Sequence, residues 1–540
     1  MKTVIVGGVA GGMSAATRLR RLDEAAEIVV LERSGHVSFA NCGLPYYVGR
    51  AITDRNALLL QTPSSLGARF GIDVRVDTEA LAIDRRAKIV RVRDRCTGEE
   101  YDESYDALVL APGAAPFVPP IPGAERALTL RNVADTDAMA AAVEAALAQP
   151  APTAVIMGGG FIGVELAENL TGRGVRVTIV ELADQLLAPL DVEMAALVEK
   201  HLRRHGVEIL TGASVTEIWS DSVGLSTGGR LPATLVVAAI GVRPETGLAQ
   251  AAGLELGERG GILVDEHQRT SDPAIYAVGD AVVKRDALTG GQALVPLAGP
   301  ANRHGRLAAD AIAGRPVAAA PVLGTAIVGA FGMVAAATGW TEKRAVAAGR
   351  SVRVIHTHPA NHAGYYPGAE SMSLKLVVDA DTDTILGAQG VGGAGVDKRI
   401  DVIATAMRAG LTASDLGDLE LSYAPQFSSA KDPVNMLGFI AENLRDGLVD
   451  TIQWHEVEAE VDKGVQLIDV RTPAEFARGT VDGATNIPVD ELRARIDEVA
   501  EEVIVHCQVG LRGYLAARTL AQHGRRVRNL DGGYRTWARI

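Results

Sequence analysis

Cysteine is nearly absent from this chain, with three residues in 540: Cys42, Cys96 and Cys507. They cannot form a disulfide framework and none lies at metal-ligand spacing, so the chain is expected to work in a reducing compartment without a structural metal. Aromatics are scarce at 4%, whereas glycine is abundant at 59 residues, which favours α/β domains with phosphate-approaching turns over an aromatic-lined barrel. Positive charge is in deficit, and the net charge of -13 speaks against nucleic acid as a partner. No basic segment with a cleavage site precedes the first strand-like run at residues 3–6, so a secretory leader is not expected and the cytoplasm is the default. Residues 316–341 carry no charge over a length that spans a bilayer, but Pro316, Pro321, Gly324, Gly329, Gly332, Gly339 and a dominance of alanine predict buried strands there, not a membrane segment.

The glycines that are present fall into a pattern. Residues 3–6 lead into Gly7-Gly8-Val9-Ala10-Gly11-Gly12 and a helix, and a second strand, Glu27–Leu31, ends in Glu32, 20 residues after Gly12. This is the β-α-β unit in which a helix N-terminus receives a pyrophosphate and the acid receives ribose hydroxyls, with Val9 where a glycine is usual. The pattern recurs in full at residues 154–157, Gly158-Gly159-Gly160-Phe161-Ile162-Gly163, a helix, and a strand at 175–180 closing on Glu181. One such motif is weak evidence, but two with strand, helix and acid predict two dinucleotide sites. Shorter strand-turn signals end at Ala111-Pro112-Gly113 and at Gly279-Asp280, where the Asp is placed to meet ribityl hydroxyls near a flavin phosphate.

A chain of this length is expected to hold roughly three to four domains. The signals divide it into a first nucleotide domain at 1–112 and 246–321, interrupted by a second at 113–245, then an interface segment at 322–447 without phosphate loops, then a small α/β unit at 448–540. The last unit alternates apolar strands at 465–471 and 503–506 with helical segments, a reasonable independent size.

Cys42 stands in Ser38-Phe39-Ala40-Asn41-Cys42-Gly43-Leu44-Pro45-Tyr46-Tyr47 with no second cysteine within fifty residues. A reduced flavin needs a nucleophilic sulfur nearby to pass electrons to a disulfide, and as a thiolate Cys42 would attack a disulfide or persulfide sulfur. A single thiol implies that its partner sulfur comes from elsewhere. Cys96, in the charged stretch 91–100, reads as a bystander.

Two nucleotide folds, one interrupting the other and followed by an interface domain, resemble the pyridine nucleotide-disulfide oxidoreductase family. Residues 38–47, with His362-Ala363-Gly364-Tyr365-Tyr366-Pro367-Gly368 and Leu421-Ser422-Tyr423-Ala424-Pro425-Gln426-Phe427, resemble its single-cysteine coenzyme A-disulfide reductases. Asp469-Val470-Arg471, the run 483–488 and Cys507-Gln508-Val509-Gly510-Leu511-Arg512 resemble a rhodanese domain. The fusion as a whole is similar to the NAD(P)H-dependent persulfide reductases of the coenzyme A-disulfide reductase-rhodanese group. The fold class implied is α/β: two Rossmann-like domains for FAD and NAD(P)H, an α+β dimerisation domain, and a C-terminal rhodanese domain, in a homodimer.

That resemblance implies roles for particular residues. FAD would meet Gly7, Gly8, Val9, Ala10, Gly11, Glu32, Arg33, Ala111, Pro112, Gly113, Gly279, Asp280, Leu297 and Ala298. NAD(P)H would meet Gly158, Gly160, Phe161, Ile162, Gly163, Glu165, Glu181 and Gly241, with Glu165 facing flavin and nicotinamide and Glu181 favouring NADH by repelling a 2'-phosphate. Coenzyme A would meet Arg18 and Arg21, one turn apart on the first helix, with Ser38, Asn41, Asn302 and Arg306. Tyr365 and Tyr423 are implied near the cysteine across a dimer interface, as candidate proton donors to the leaving thiolate. In the rhodanese loop, successive amides around Cys507, closed by Arg512, are expected to cradle an anion, lower the thiol pKa and stabilise a persulfide. Its six residues match sulfur transferases, since the related phosphatase loops are longer.

The expected activity is NAD(P)H-driven reduction of persulfide, polysulfide or coenzyme A persulfide to sulfide at Cys42, with Cys507 delivering sulfur. Two alternatives stand beside it: a coenzyme A-disulfide reductase that maintains the thiol pool, and a rhodanese unit that senses sulfur without transferring it.

Overall fold

In the computed structural model, which describes residues 1–538, the strand Lys2–Val6 lies at the centre of a five-stranded parallel sheet. Its order is Ile275–Ala277, Ala107–Leu110, Lys2–Val6, Glu27–Leu31 and Asp73–Arg75. The apolar runs that predict these strands are buried on both faces, as a parallel sheet covered by helices requires. Val4, Ile5, Val30 and Leu108 are fully buried, each worth about 1.5–3 kcal/mol of transfer free energy. The helix Ala10–Leu22 follows the first glycine turn and packs on the helix Ala298–Ile312. A second parallel sheet has the order Glu208–Leu210, Arg176–Val180, Thr153–Met157 and Leu235–Ala238, with the helix Phe161–Gly172 after its own glycine turn.

Two compact units partition the chain: residues 1–184 with 206–324, and residues 185–205 with 325–540. The first holds both nucleotide folds. The second gains the helix Val192–Arg204 from the middle of the second fold, an assignment that its sequence does not announce. Polar anchors explain it, because Asp191 Oδ2 accepts from Gln389 Nε2 at 2.6 Å and pairs with Lys375 Nζ at 3.0 Å.

In the second unit an antiparallel sheet runs Ala326–Ala330, Met333–Gly339, Ile385–Gly392, Ser373–Asp379 and Val352–Thr357. The uncharged stretch 316–341 thus supplies two strands, as its composition predicts, and among the described residues no helix is long and apolar enough to cross a membrane. Helices Val396–Ala409 and Pro433–Arg445 close a core of Ile400, Ile403, Val434 and Leu437 over the sheet. A parallel sheet follows, ordered Asp450–Ile452, Arg526–Leu530, Glu502–His506, Gln466–Asp469 and Thr485–Asn486, with an apolar cluster on each face.

Candidate functional site

The two glycine turns share one construction. Gly7 and Gly158 both adopt φ +104°, a conformation that side chains rarely tolerate. A Cβ on Gly12 or Gly163 would lie 1.9 or 2.1 Å from the carbonyl oxygen of Gly7 or Gly158, so the helix can approach its strand only without one. Glu32 accepts from Gly8 N and Ser34 N at 2.8 Å each, and Glu181 accepts from Gly159 N at 2.7 Å and Ala183 N at 2.8 Å. Val9 takes the place of Gly160, and both have negative φ, -112° and -78°, outside the left-handed region that favours glycine.

The residues expected around FAD fit such a group. Asp280 Oδ1 is buried without a partner, the condition of an acceptor awaiting a hydroxyl. Burial raises the Asp280 carboxyl above its ordinary range. Lys284, not foreseen from sequence, donates to Gly279 O at 2.8 Å and Val282 O at 3.3 Å, fixing the turn that carries Asp280, and burial pulls its amine down to about 8. Leu297 caps the helix that begins at Ala298. Arg131 Nη2 bonds Pro112 O at 3.2 Å, and Glu245 joins Arg131, at 2.6 Å, to Arg33, at 3.2 Å. Gly113 and Gly241 turn the chain at positive φ.

Cys42 sits in the single turn Asn41–Gly43, directly before the short helix Leu44–Val48. Its approach is built by Ser38, at φ +46°, whose N–H donates to Gly8 O at 2.8 Å, tying the cysteine segment to the first glycine turn. The side chain is exposed, yet the surrounding protein raises the thiol above its ordinary pKa, first by desolvation and then through the charges of Glu165 and Asp280. Tyr46, one helical turn on, places its hydroxyl 3.2 Å from Glu165 Oε1, and burial raises Glu165. The same helix faces meet again where Arg173 Nη1 bonds Val48 O at 3.0 Å and where a Cβ on Gly49 would strike Asn169.

Several residues expected at coenzyme A already have protein partners. Arg18 is bound by Asp310 through Nε at 3.1 Å and Nη2 at 2.7 Å. Arg315 also pairs with Asp310, at 3.1 Å, so one positive charge of this trio is left uncompensated. Asn302 accepts from Ser14 at 2.6 Å and donates to Ala298 O at 2.9 Å. Arg21, Arg306 and Asn41 are exposed. In the second unit the Tyr365 and Tyr423 hydroxyls meet at 3.0 Å, with the residues 77% and 48% exposed, a large surface for aromatic side chains to leave in water. Cys96 is exposed on a hairpin turn.

At the C-terminal loop Cys507 is fully buried, and Gly510 N lies 3.2 Å from its Sγ, the first amide of the expected cradle. Arg512, at the end of the loop, is held by Glu475 through both its terminal nitrogens at 2.7 Å, and this pairing keeps the Glu475 carboxyl down at about 2. The last residue of the loop is therefore an ion-paired cation. Beneath it the buried Arg471 binds Asp469, Gln508 Oε1 at 2.9 Å and the Tyr534 ring at 4.3 Å. Burial pushes His506 down to about 4, so it stays neutral. Elsewhere in this unit Asp191, Glu193 and Glu342 converge as three carboxylates, and the Lys375 ammonium pairs with all of them.

Twin dinucleotide turns, a lone cysteine beside the first and a separate cysteine loop at the C-terminal end define a flavin-dependent pyridine nucleotide oxidoreductase with an appended sulfur-handling domain. The chain belongs to the pyridine nucleotide-disulphide oxidoreductase family, whose model matches residues 1–305, with the family's dimerisation domain at 325–433 and a rhodanese-like domain at 453–540. It is 32% identical to the coenzyme A disulfide reductase of Staphylococcus haemolyticus over 82% of this chain and 100% of that one. Among solved structures it resembles reduced CoADR-RHD of Bacillus anthracis, at TM-score 0.98 and 48% identity over 100% of this chain and 98% of the other. A NAD-dependent persulfide reductase from A. fulgidus superposes at TM-score 0.93 with 39% identity over 99% and 100%.

Proposed function

We propose that this chain uses NADH to reduce coenzyme A disulfide and the sulfane sulfur of persulfide, polysulfide or coenzyme A persulfide, through Cys42, with Cys507 carrying sulfane sulfur. The observation that carries this reading is the lone, exposed Cys42 tied through Ser38 to the first dinucleotide turn. Bound FAD would supply the store of two electrons drawn from NADH. The residues named for FAD, NAD(P)H and coenzyme A take those roles in this reading, with Arg18 acting through its shared pair with Asp310.

The Cys42 thiolate attacks a sulfur of the substrate, forming a new S–S bond as the old one breaks and the coenzyme A thiolate departs. From a persulfide this leaves Cys42–S–SH, which two electrons and one proton convert to the Cys42 thiol and hydrosulfide. The raised thiol makes the free enzyme slow to react with stray oxidants, and displacing the charge of Glu165 or Asp280 activates it. Tyr365 and Tyr423 are the proposed proton donors to the leaving thiolate, contributed across a homodimer.

The domain divisions at 112, 245, 321 and 447 and a cytoplasmic location complete the proposal, the latter resting on three unpaired cysteines. Anaerobic turnover of coenzyme A persulfide with NADH tests it. Stoichiometric sulfide is expected, and its absence, or full activity in Cys42→Ser, would overturn the reading. The thiol-pool alternative predicts that symmetric coenzyme A disulfide has the higher kcat/KM on the same preparation.

A further inference from the structure

The second unit contains a buried ionic chain that no step above uses. His356, on the strand Val352–Thr357, is almost wholly buried between two carboxylates. Its Nδ1 lies 2.6 Å from Asp531 Oδ2 and its Nε2 lies 3.0 Å from Glu193 Oε1, while its backbone N–H donates to both Asp531 oxygens, at 2.9 and 3.1 Å. Both ring nitrogens face carboxylate oxygens, and only the imidazolium, with an N–H on each nitrogen, donates to both. Glu193 then passes to Lys375, which also holds Asp191 and Glu342.

Asp531 leads the turn that holds the cysteine loop. Gly532 and Gly533 follow it, both at positive φ. Tyr534 N donates to Cys507 O at 2.7 Å, Arg535 N to Gln508 O at 3.0 Å, and Asn529 Nδ2, just before, to Gly510 O at 3.2 Å. Three carbonyls of the loop are thus tied back by residues 529–535, beside the Gly510 amide that meets the sulfur. A Cβ on Gly533 would lie 2.5 Å from Cys507 O, so turn and loop are packed without slack.

We infer that His356 is a positioning residue for sulfur transfer at Cys507: by clamping Asp531 it sets the 529–535 turn and, through it, the amides that receive the terminal sulfur. This rests on the reading of the C-terminal domain as a sulfur transferase. The His356 proton is retained up to about 9, with burial opposed by Asp531 and Glu193 and a smaller repulsion from Lys375, behind which lie Asp191 and Glu342.

The test uses the full-length holoenzyme with thiosulfate as donor and cyanide as acceptor. The Cys507 thiolate attacks the outer sulfur of thiosulfate, forming one S–S bond and expelling sulfite with the electron pair of the other, and cyanide then takes the terminal sulfur as thiocyanate. His356→Asn and Asp531→Asn are expected to lower transfer kcat on the order of ten- to a hundredfold, the cost of slight misplacement at a reacting centre, with NADH-driven coenzyme A disulfide turnover retained. Transfer within twofold of wild type in both folded variants would overturn the inference. Should both variants lose both activities, the wild-type pH profile decides. Ionisation of the thiol and of cyanide can only raise transfer with pH, so a fall near pH 9 supports the clamp and a profile without that fall rejects it. Retained transfer in Cys507→Ser would instead overturn the sulfur-transferase reading itself.

Discussion

Tyr46 places its hydroxyl 3.2 Å from Glu165 Oε1, joining the short helix after Cys42 to the helix that opens the second nucleotide site. The segment that carries Cys42 and the helix that carries Glu165 therefore touch directly. A shift in one reaches the other through a single hydrogen bond, and the Glu165 charge also raises the Cys42 thiol, more than that of Asp280 does.

Glu165→Gln removes that charge. Alkylation of Cys42 by iodoacetamide, followed by peptide mass spectrometry across pH, is expected to show a midpoint moved downward from the raised wild-type value. An unchanged midpoint would mean that desolvation and the Asp280 charge hold the thiol up without Glu165. Tyr46→Phe removes a hydrogen bond that lowers Glu165, so the Glu165 carboxyl should rise further. A loss in kcat/KM of roughly tenfold or less is expected there, the scale of one net hydrogen bond.

Cys42→Ser and Cys507→Ser are expected to separate the two sulfur chemistries. The first should abolish NADH-driven reduction of coenzyme A disulfide and leave thiosulfate-cyanide transfer intact, and the second should do the reverse. The two cysteines belong to different compact units, so neither substitution disturbs the other's packing.

Glu181→Ala should cost NADH about tenfold in kcat/KM through lost charge-assisted bonds to the ribose, and should narrow the preference over NADPH. Its wild-type geometry, anchored by Gly159 N and Ala183 N, keeps the carboxylate at the strand end. Steady-state kinetics with both nucleotides check this.

Stability should respond to pH at both extremes. His356 is raised from 6.5 to about 9, so its contribution is complete below pH 6.5 and lost as pH rises through 9. Glu475 is lowered from 4.5 to about 2, so its contribution is present above pH 4.5 and lost as pH falls through 2. Thermal unfolding of wild type and His356→Asn should differ most below pH 6.5 and converge by pH 10, the loss being several degrees at its largest.

The parts of this protein that depend on local chemistry were legible in its sequence. Glycine turns, the acids at 32 and 181, the solitary Cys42 and the Cys507 loop each follow from neighbours within some 30 residues, because backbone conformation and strand period are local properties. Even the uncharged stretch 316–341 resolved into strands through its prolines and glycines.

Charge pairing was not legible. Arg18 on Asp310, Arg512 on Glu475 and His356 between Asp531 and Glu193 join residues separated by up to 292 positions, and no periodicity records such a meeting. A carboxylate's effect on a guanidinium or a thiol depends on distance and on the water excluded around the pair. The sequence by itself thus determined which chemistry this protein can attempt, whereas only the tertiary structure decided which of its charges are free to take part.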